Sequence, residues 1–234
     1  MTAVQGARAR ARIEITAAIK DEARRQLAAE GAAKLSLRAV ARELGMVSSA
    51  LYRYFPSRDD LLTALIIDAY DAVGAAAERA HATAEAADPH AHLARWTAVC
   101  RAIRAWAVEN PHEYALIYGS PVPGYTAPRD TVDHAARGGL VLVSIARAAY
   151  HDKGIAPPPL PAGLRPEAER LAADLAPDLP PALAIALVCA WAELFGLISF
   201  ELFGQFNNVI EDRDTFFTTA AERLGREVGL LPRP

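Results

Sequence analysis

Apolar positions recur at helical spacing along almost the whole chain. Ile15, Ile19, Ala23 and Leu27 mark a first helix from about Arg12 to Glu30, which Gly31 ends. Leu37, Val40, Ala41 and Leu44 repeat the pattern at i, i+3, i+4 and i+7, with Ser36 placed to cap the start and Gly45 to close the end through a positive φ. The next helix starts within two residues. Val47, Ala50, Leu51, Tyr54 and Phe55 share one of its sides, and Ser48, Ser49, Tyr52 and Arg53 the other. Ser57 with Asp60 predicts a capping box for a long helix from Arg58 to about Ala84, striped by Leu62, Leu65, Ile66, Ala69, Val73 and Ala76.

Beyond it, Asp88-Pro89 reads as a cap with proline at the first helical position, opening a helix to Glu109 that carries Leu93, Trp96, Cys100, Ile103 and Trp106. Asn110-Pro111 caps a short helix to Tyr118, and residues 119–128 form a loop. Further helices run from about Arg129 to Asp152, Glu167 to Leu175, Ala182 to Gln205 and Asp214 to Val228, with a proline-rich connector at 154–166. No long stretch alternates with period two. The expected fold is all-α: an N-terminal three-helix helix-turn-helix domain (1–57, including a basic arm at 1–11), a connecting helix (58–86) and a larger helical domain (87–234).

Charge changes this picture. The net charge is −3, but residues 1–58 hold eleven Lys/Arg against five Asp/Glu, a surplus of six positive charges. The remainder therefore carries −9. A basic head on an acidic body focuses its field where a polyanion docks and disfavours the reverse orientation. The face bearing Ser48, Ser49, Tyr52 and Arg53 has the chemistry to enter a major groove, since hydroxyls and guanidinium groups reach base edges and phosphates.

The stretch Leu51-Tyr52-Arg53-Tyr54-Phe55-Pro56-Ser57-Arg58-Asp59-Asp60-Leu61-Leu62 resembles the L-Y-x-[HY]-F-x-[ST]-[KR]-x-x-L-[LF] signature of the TetR/AcrR family of transcriptional regulators, and residues 15–45 look like that family's first two helices. Two departures concern contacts: Val47 stands where a capping serine is usual, and Ala50 where a threonine is frequent. The resemblance implies a homodimeric, ligand-responsive regulator, most simply a repressor of a palindromic double-stranded DNA operator. It places Arg38, Ser48, Ser49 and Tyr52 at base edges and Arg53, Tyr54 and Arg58 at phosphates. It also implies a pocket for a small-molecule effector, for which Trp96, Cys100, Trp106, Tyr114, Tyr118 and His134 supply aromatic walls and polar tips. The last two helices are similar to the family's WHG type, with Trp191 and Gly196 in place but Phe195 where that type has histidine. Their wide apolar faces call for a second copy, with Trp191, Phe195, Ile198, Leu202, Phe216, Phe217, Ala220 and Leu224 at a dimer interface. The alternative is a helical small-molecule-binding protein without regulatory DNA binding.

Other chemistries find no support. Walker A, GxGxxG, HExxH and GxSxG patterns are missing, Ser120, Asp130 and His134 have no triad spacing, and His90 and His92 would diverge on a helix. No catalysis, cofactor or metal site is expected. Cys100 and Cys189 read as buried thiols of a cytoplasmic protein. Residues 182–200 are long and apolar enough to span a bilayer, but Glu193, Glu201 and acidic flanks favour a helix buried on most sides, with no membrane partner.

Overall fold

A computed structural model describes residues 3–231, residues 3–5 by their backbone alone. Among the described residues there are ten α-helices: α1 (Ala3–Glu30), α2 (Leu37–Glu43), α3 (Ser48–Leu51), α4 (Arg58–Ala87), α5 (His92–Glu109), α6 (Pro111–Tyr118), α7 (Thr131–His151), α8 (Arg165–Leu175), α9 (Pro181–Leu202) and α10 (Arg213–Val228). Two compact units divide them, one holding residues up to 69 together with 110–132, the other holding 70–109 and the chain from 133 onward. The division thus falls inside α4 rather than at 57 and 86, and α6 belongs with the N-terminal helices.

The first unit closes around Ile19, Ala23, Leu27, Leu37, Val40, Leu51, Phe55, Leu61, Leu62 and Leu65, all buried. Truncating a fully buried leucine such as Leu51 costs about 2–5 kcal/mol, so the small unit depends on each one. The segment 110–132 joins this unit through Leu116, Val122 and Tyr125, which pack on that core, and through the Tyr125 hydroxyl, 2.9 Å from Thr63 Oγ1. Arg24 adds a salt bridge from Nε to Glu113 at 2.8 Å. These contacts join residues far apart in sequence, so helical periodicity alone could not assign α6. The basic arm is also corrected. Met1 and Thr2 lie outside the described residues, but from Ala3 the backbone is already helical, because the Ala- and Arg-rich run favours a helix more than the single Gly6 disfavours it.

In the second unit α10 packs against α5. Trp96 Nε1 donates to the carbonyl of Ala221 at 3.1 Å, and a β-carbon on Gly225 would meet Leu93 Cδ1 at 2.7 Å, so glycine permits this close approach. Phe217, Ala220 and Leu224 are buried here, and Phe195 and Ile198 are buried on α9. The expectation that these five form a dimer interface is corrected, since their surface is already covered within one chain. Phe216 is partly exposed and stacks edge-on against Phe206, with centroids 5.4 Å apart.

Helix α9 is long and apolar enough to cross a membrane by length and composition, yet only 39% of its most apolar window is buried. It is not enclosed on most sides. Leu183, Leu187, Leu194 and Ile198 face inward, whereas Val188, Ala192, Phe200 and Phe203 leave an exposed apolar stripe. Helix α5 starts later than the Asp88-Pro89 pair predicts. Asp88 Oδ1 accepts from the backbone N–H of His90 at 3.0 Å, turning the chain before the helix begins at His92.

Candidate nucleic-acid interface

The α2–α3 hairpin is built by its caps. Ser36 Oγ accepts from the N–H of Ala39. At the other end Gly45 adopts φ 63°, its N–H bonding to the carbonyl of Arg42 at 3.1 Å while that of Met46 reaches Ala41 at 2.8 Å. These paired bonds satisfy carbonyls that the helix end leaves open and turn the chain sharply toward α3. Ser57 caps α4, the N–H of Asp60 donating to Ser57 Oγ at 3.1 Å, while Asp60 Oδ2 accepts from the Ser57 hydroxyl at 2.7 Å in place of the backbone N–H that a capping box would use.

Helix α3 is shorter than its apolar pattern predicts. After Leu51 the backbone tightens into turns, Tyr54 N–H bonding to Leu51 at 2.8 Å, and Pro56 disfavours helical backbone at Phe55. The side chains nonetheless divide as expected with one exception. Leu51 and Phe55 are buried, Ala50 and Tyr54 half-buried, and Ser48, Ser49, Tyr52 and Arg53 exposed, with Arg38 exposed on α2. The exception is Val47, which is 70% exposed and so belongs with the open face.

Two of the predicted phosphate ligands have work inside the unit. Arg58 donates from Nη2 to the carbonyl of Ala32 at 2.9 Å and from Nε to that of Leu35 at 3.2 Å, bracing the turn that follows α1. Tyr54 carries the Arg12 guanidinium 5.2 Å from its ring centroid. That cation–π pair spans forty-two positions, and no sequence pattern announces it. Other head cations are compensated within the unit. Lys20 pairs with Asp68, and Arg24 with Asp21, Asp68 and Glu113, whose attraction outweighs the downward pull of burial on the Arg24 pKa. Arg8, Arg10, Lys34, Arg38 and Arg53 are exposed and have no carboxylate partner among the described residues. The free positive charge is therefore concentrated in few residues, two of them on the hairpin face.

The candidate effector residues are divided between the two units. Trp96 and Cys100 are fully buried in the second unit, where burial pushes the Cys100 thiol pKa well up. Trp106 is buried there as well, and His134 Nδ1 lies 2.9 Å from Asp71 Oδ1. Tyr114 and Tyr118 belong to the first unit, their rings 5.2 Å apart. Two openings of the second unit have other linings. An apolar cavity of about 310 Å³ lies among α7, α8 and α9, bounded by Gly139, Leu140, Val143, Leu175, Val188 and Trp191. Gly138 and Gly139 lie against the Trp191 ring, which meets the Phe195 ring at a tilt with centroids 4.4 Å apart. A groove of about 780 Å³ runs past the start of α5, the end of α7 and α10. Composition points to aromatic residues, but an aromatic that fills the core and one that lines a pocket look alike in sequence.

The ground for expecting no metal site also changes. His90 precedes α5 and His92 opens it, so the two do not diverge on one helix. Both imidazoles reach Asp152 Oδ2, at 2.8 Å and 3.1 Å. Cys189 is exposed rather than buried.

A capped helix pair that buries one face and offers hydroxyls and unpaired cations on the other, accompanied by a second helical unit, defines a helix-turn-helix DNA-binding regulator. Residues 19–65 match the family model described as bacterial regulatory proteins, tetR family, and residues 96–224 match the tetracyclin repressor-like C-terminal domain. The HTH-type transcriptional regulator Rv1816 of Mycobacterium tuberculosis is 41% identical over 208 residues, covering 86% of each chain, and Mb1846 of Mycobacterium bovis matches to the same extent. Among solved structures, the regulatory protein SCO4313 superposes with a TM-score of 0.76 at 35% identity, over 92% of this chain and 97% of that one. A protein of Rhodococcus sp. RHA1 gives 0.68 at 25% identity, over 90% and 93%. The chain belongs to the TetR family and is a transcriptional regulator of that type.

Proposed function

We propose that this regulator is a cytoplasmic, homodimeric repressor that binds a pseudo-palindromic operator and leaves it when a small molecule binds the second unit. The observation that carries the reading is the open hairpin face, where Arg38, Ser48, Ser49, Tyr52 and Arg53 are exposed together above a closed core. Arg38, Ser48, Ser49 and Tyr52 reach base edges, and Val47 adds an apolar contact of the kind that recognises a thymine methyl group. Arg53 and Tyr54 contact phosphates, with Arg12 adding charge beside Tyr54. Arg58 acts mainly by holding the turn after α1 in place.

The second copy covers the open stripe of α9 around Val188, Ala192, Phe200 and Phe203, which accounts for large apolar side chains left in water. The apolar cavity beside Trp191 is the place for a small, largely apolar effector. Two bound subunits would read half-sites separated by about one helical turn, or a multiple of it. The experiment is a gel-shift titration on DNA upstream of the protein's own gene at several salt concentrations, with the mass of the free protein measured in parallel. A dimer whose affinity falls steeply with salt is the expected result. A monomer, or affinity indifferent to salt, contradicts the reading.

A further inference from the structure

We propose that His90, His92 and Asp152 form a binding site for a divalent transition-metal ion of zinc type. The three side chains come from two helix ends far apart in sequence, His90 and His92 at the start of α5 and Asp152 immediately after α7. One ligand atom from each, His90 Nδ1, His92 Nε2 and an Asp152 carboxylate oxygen, lies within 4.8 Å of the other two. Around a tetrahedral zinc ion, bonds of about 2.0–2.1 Å place neighbouring ligand atoms roughly 3.3 Å apart. The separations of 2.8 Å and 3.1 Å between the imidazole nitrogens and Asp152 Oδ2 are therefore only slightly short of that spacing. His90 and Asp152 are exposed and have room to open, whereas the buried His92 anchors the site.

Chemistry and shape agree. Two imidazoles and one carboxylate suit zinc and its neighbours in the first transition series, not magnesium, which prefers an all-oxygen shell. Gly154 leaves the edge of His92 clear: a β-carbon there would stand 2.9 Å from His92 Cδ2. All three residues line the 780 Å³ groove, which supplies an entry path and space for a water at the fourth position. A metal on Nε2 puts the single imidazole proton of His92 on Nδ1. The contacts given up are the two imidazole hydrogen bonds to Asp152 Oδ2, which bonds to the metal replace, and the marginal 3.4 Å approach of Arg95 Nη1, while Arg95 keeps Glu85 through Nη2 at 2.6 Å. Arg101, Lys153 and Arg226 line the same groove and oppose a cation, but they are exposed, and Arg226 is paired with Glu222 at 3.0 Å. Solvent screening limits that repulsion.

The test uses the full chain, stripped with a chelator and titrated with Zn²⁺ in competition with a chromophoric chelator, and separately with Co²⁺ as an optical probe. One equivalent per chain is expected, with the visible bands of four-coordinate Co²⁺ and no competition from excess Mg²⁺. His90→Ala and Asp152→Asn should each weaken binding by at least about tenfold, since even residues outside the ligand shell change metal affinity by that factor. Both positions are exposed, so the variants should keep the helical circular dichroism of the parent. His112→Ala and His151→Ala should bind as the parent does. No stoichiometric binding by the parent chain, or equal binding by the His90→Ala/Asp152→Asn double variant, overturns the proposal.

Discussion

Arg104 closes on Glu201 through two parallel hydrogen bonds, Nε to Oε2 and Nη2 to Oε1, both 2.7 Å long. The same guanidinium reaches Asp214 from Nη1 at 2.6 Å and lies over the Phe217 ring, 5.1 Å from its centroid. One side chain of α5 thus ties together α9 and α10, and it neutralises a carboxylate at the end of a largely apolar helix. Removing one member of a fully buried pair costs about 3–5 kcal/mol, and the partial exposure here lowers the expectation to about 2–3 kcal/mol. Arg104→Leu should lower the urea midpoint accordingly, and Arg104→Leu/Glu201→Leu should recover much of the loss. If the single variant unfolds at the parent's midpoint, solvent already screens the pair.

The turn between α2 and α3 rests on one backbone angle. Nothing lies within 4 Å of a β-carbon built on Gly45, so Gly45→Ala introduces no clash and tests its φ of 63° alone. The left-handed conformation costs a residue with a β-carbon about 1–2 kcal/mol. Gly45→Ala should be destabilised by that amount in thermal or urea unfolding, and Gly45→Asn by less. Equal stability of the alanine variant would show that the turn relaxes to another conformation.

Arg38 and Arg53 should separate in DNA binding. If Arg38 reads a base, Arg38→Ala loses about 1–3 kcal/mol on the cognate operator and relaxes discrimination against scrambled DNA. If Arg53 contacts a phosphate, Arg53→Ala weakens both DNAs alike and flattens the dependence of log K on log salt by about one. Equal losses on both DNAs for Arg38→Ala would reassign it to the backbone.

Arg58 is expected to behave unlike either. Its hydrogen bonds to the carbonyls of Ala32 and Leu35 hold the turn after α1, so Arg58→Ala should cost about 1–2 kcal/mol of stability in the absence of DNA. Arg53→Ala should leave unfolding unchanged. A variant at 58 that keeps full stability and loses only DNA affinity would return Arg58 to the phosphate contacts.

Asp71 sets a pH dependence. Burial raises its pKa, but hydrogen bonds and charge from His134 and Arg137 outweigh that and hold it below the ordinary carboxylate range. The pairing therefore contributes fully above the unfolded value of about 3.9, and its contribution is lost as pH falls through the lower folded value. The stability gap between the parent and Asp71→Asn should shrink as pH falls below about 4. A gap of the same size in strong acid would mean that Asp71 stabilises by packing, not by charge.

The all-α class, the capped hairpin and the family signature are legible in the sequence because they rest on local physics. Ser36, Gly45 and Ser57 act on backbone groups within a few residues, and the 3.6-residue period of Leu37, Val40 and Ala41 needs no partner to be recognised. Most of the hairpin's exposed face follows from the same period. What local physics cannot supply is the identity of the partner.

Only the tertiary structure shows that α10's apolar face is covered by α5, that α6 packs with the N-terminal helices, and that Trp96 is core. The same holds for the meeting of His90, His92 and Asp152. It depends on Asp88 turning the chain four residues ahead of α5 and on the end of α7 arriving alongside. The chain by itself determined that these segments are helices, where most of them turn, and which side of each is apolar, because those choices are made between near neighbours. Which apolar sides meet, and which polar groups converge, was decided by packing, because contacts between distant residues leave no period in the sequence.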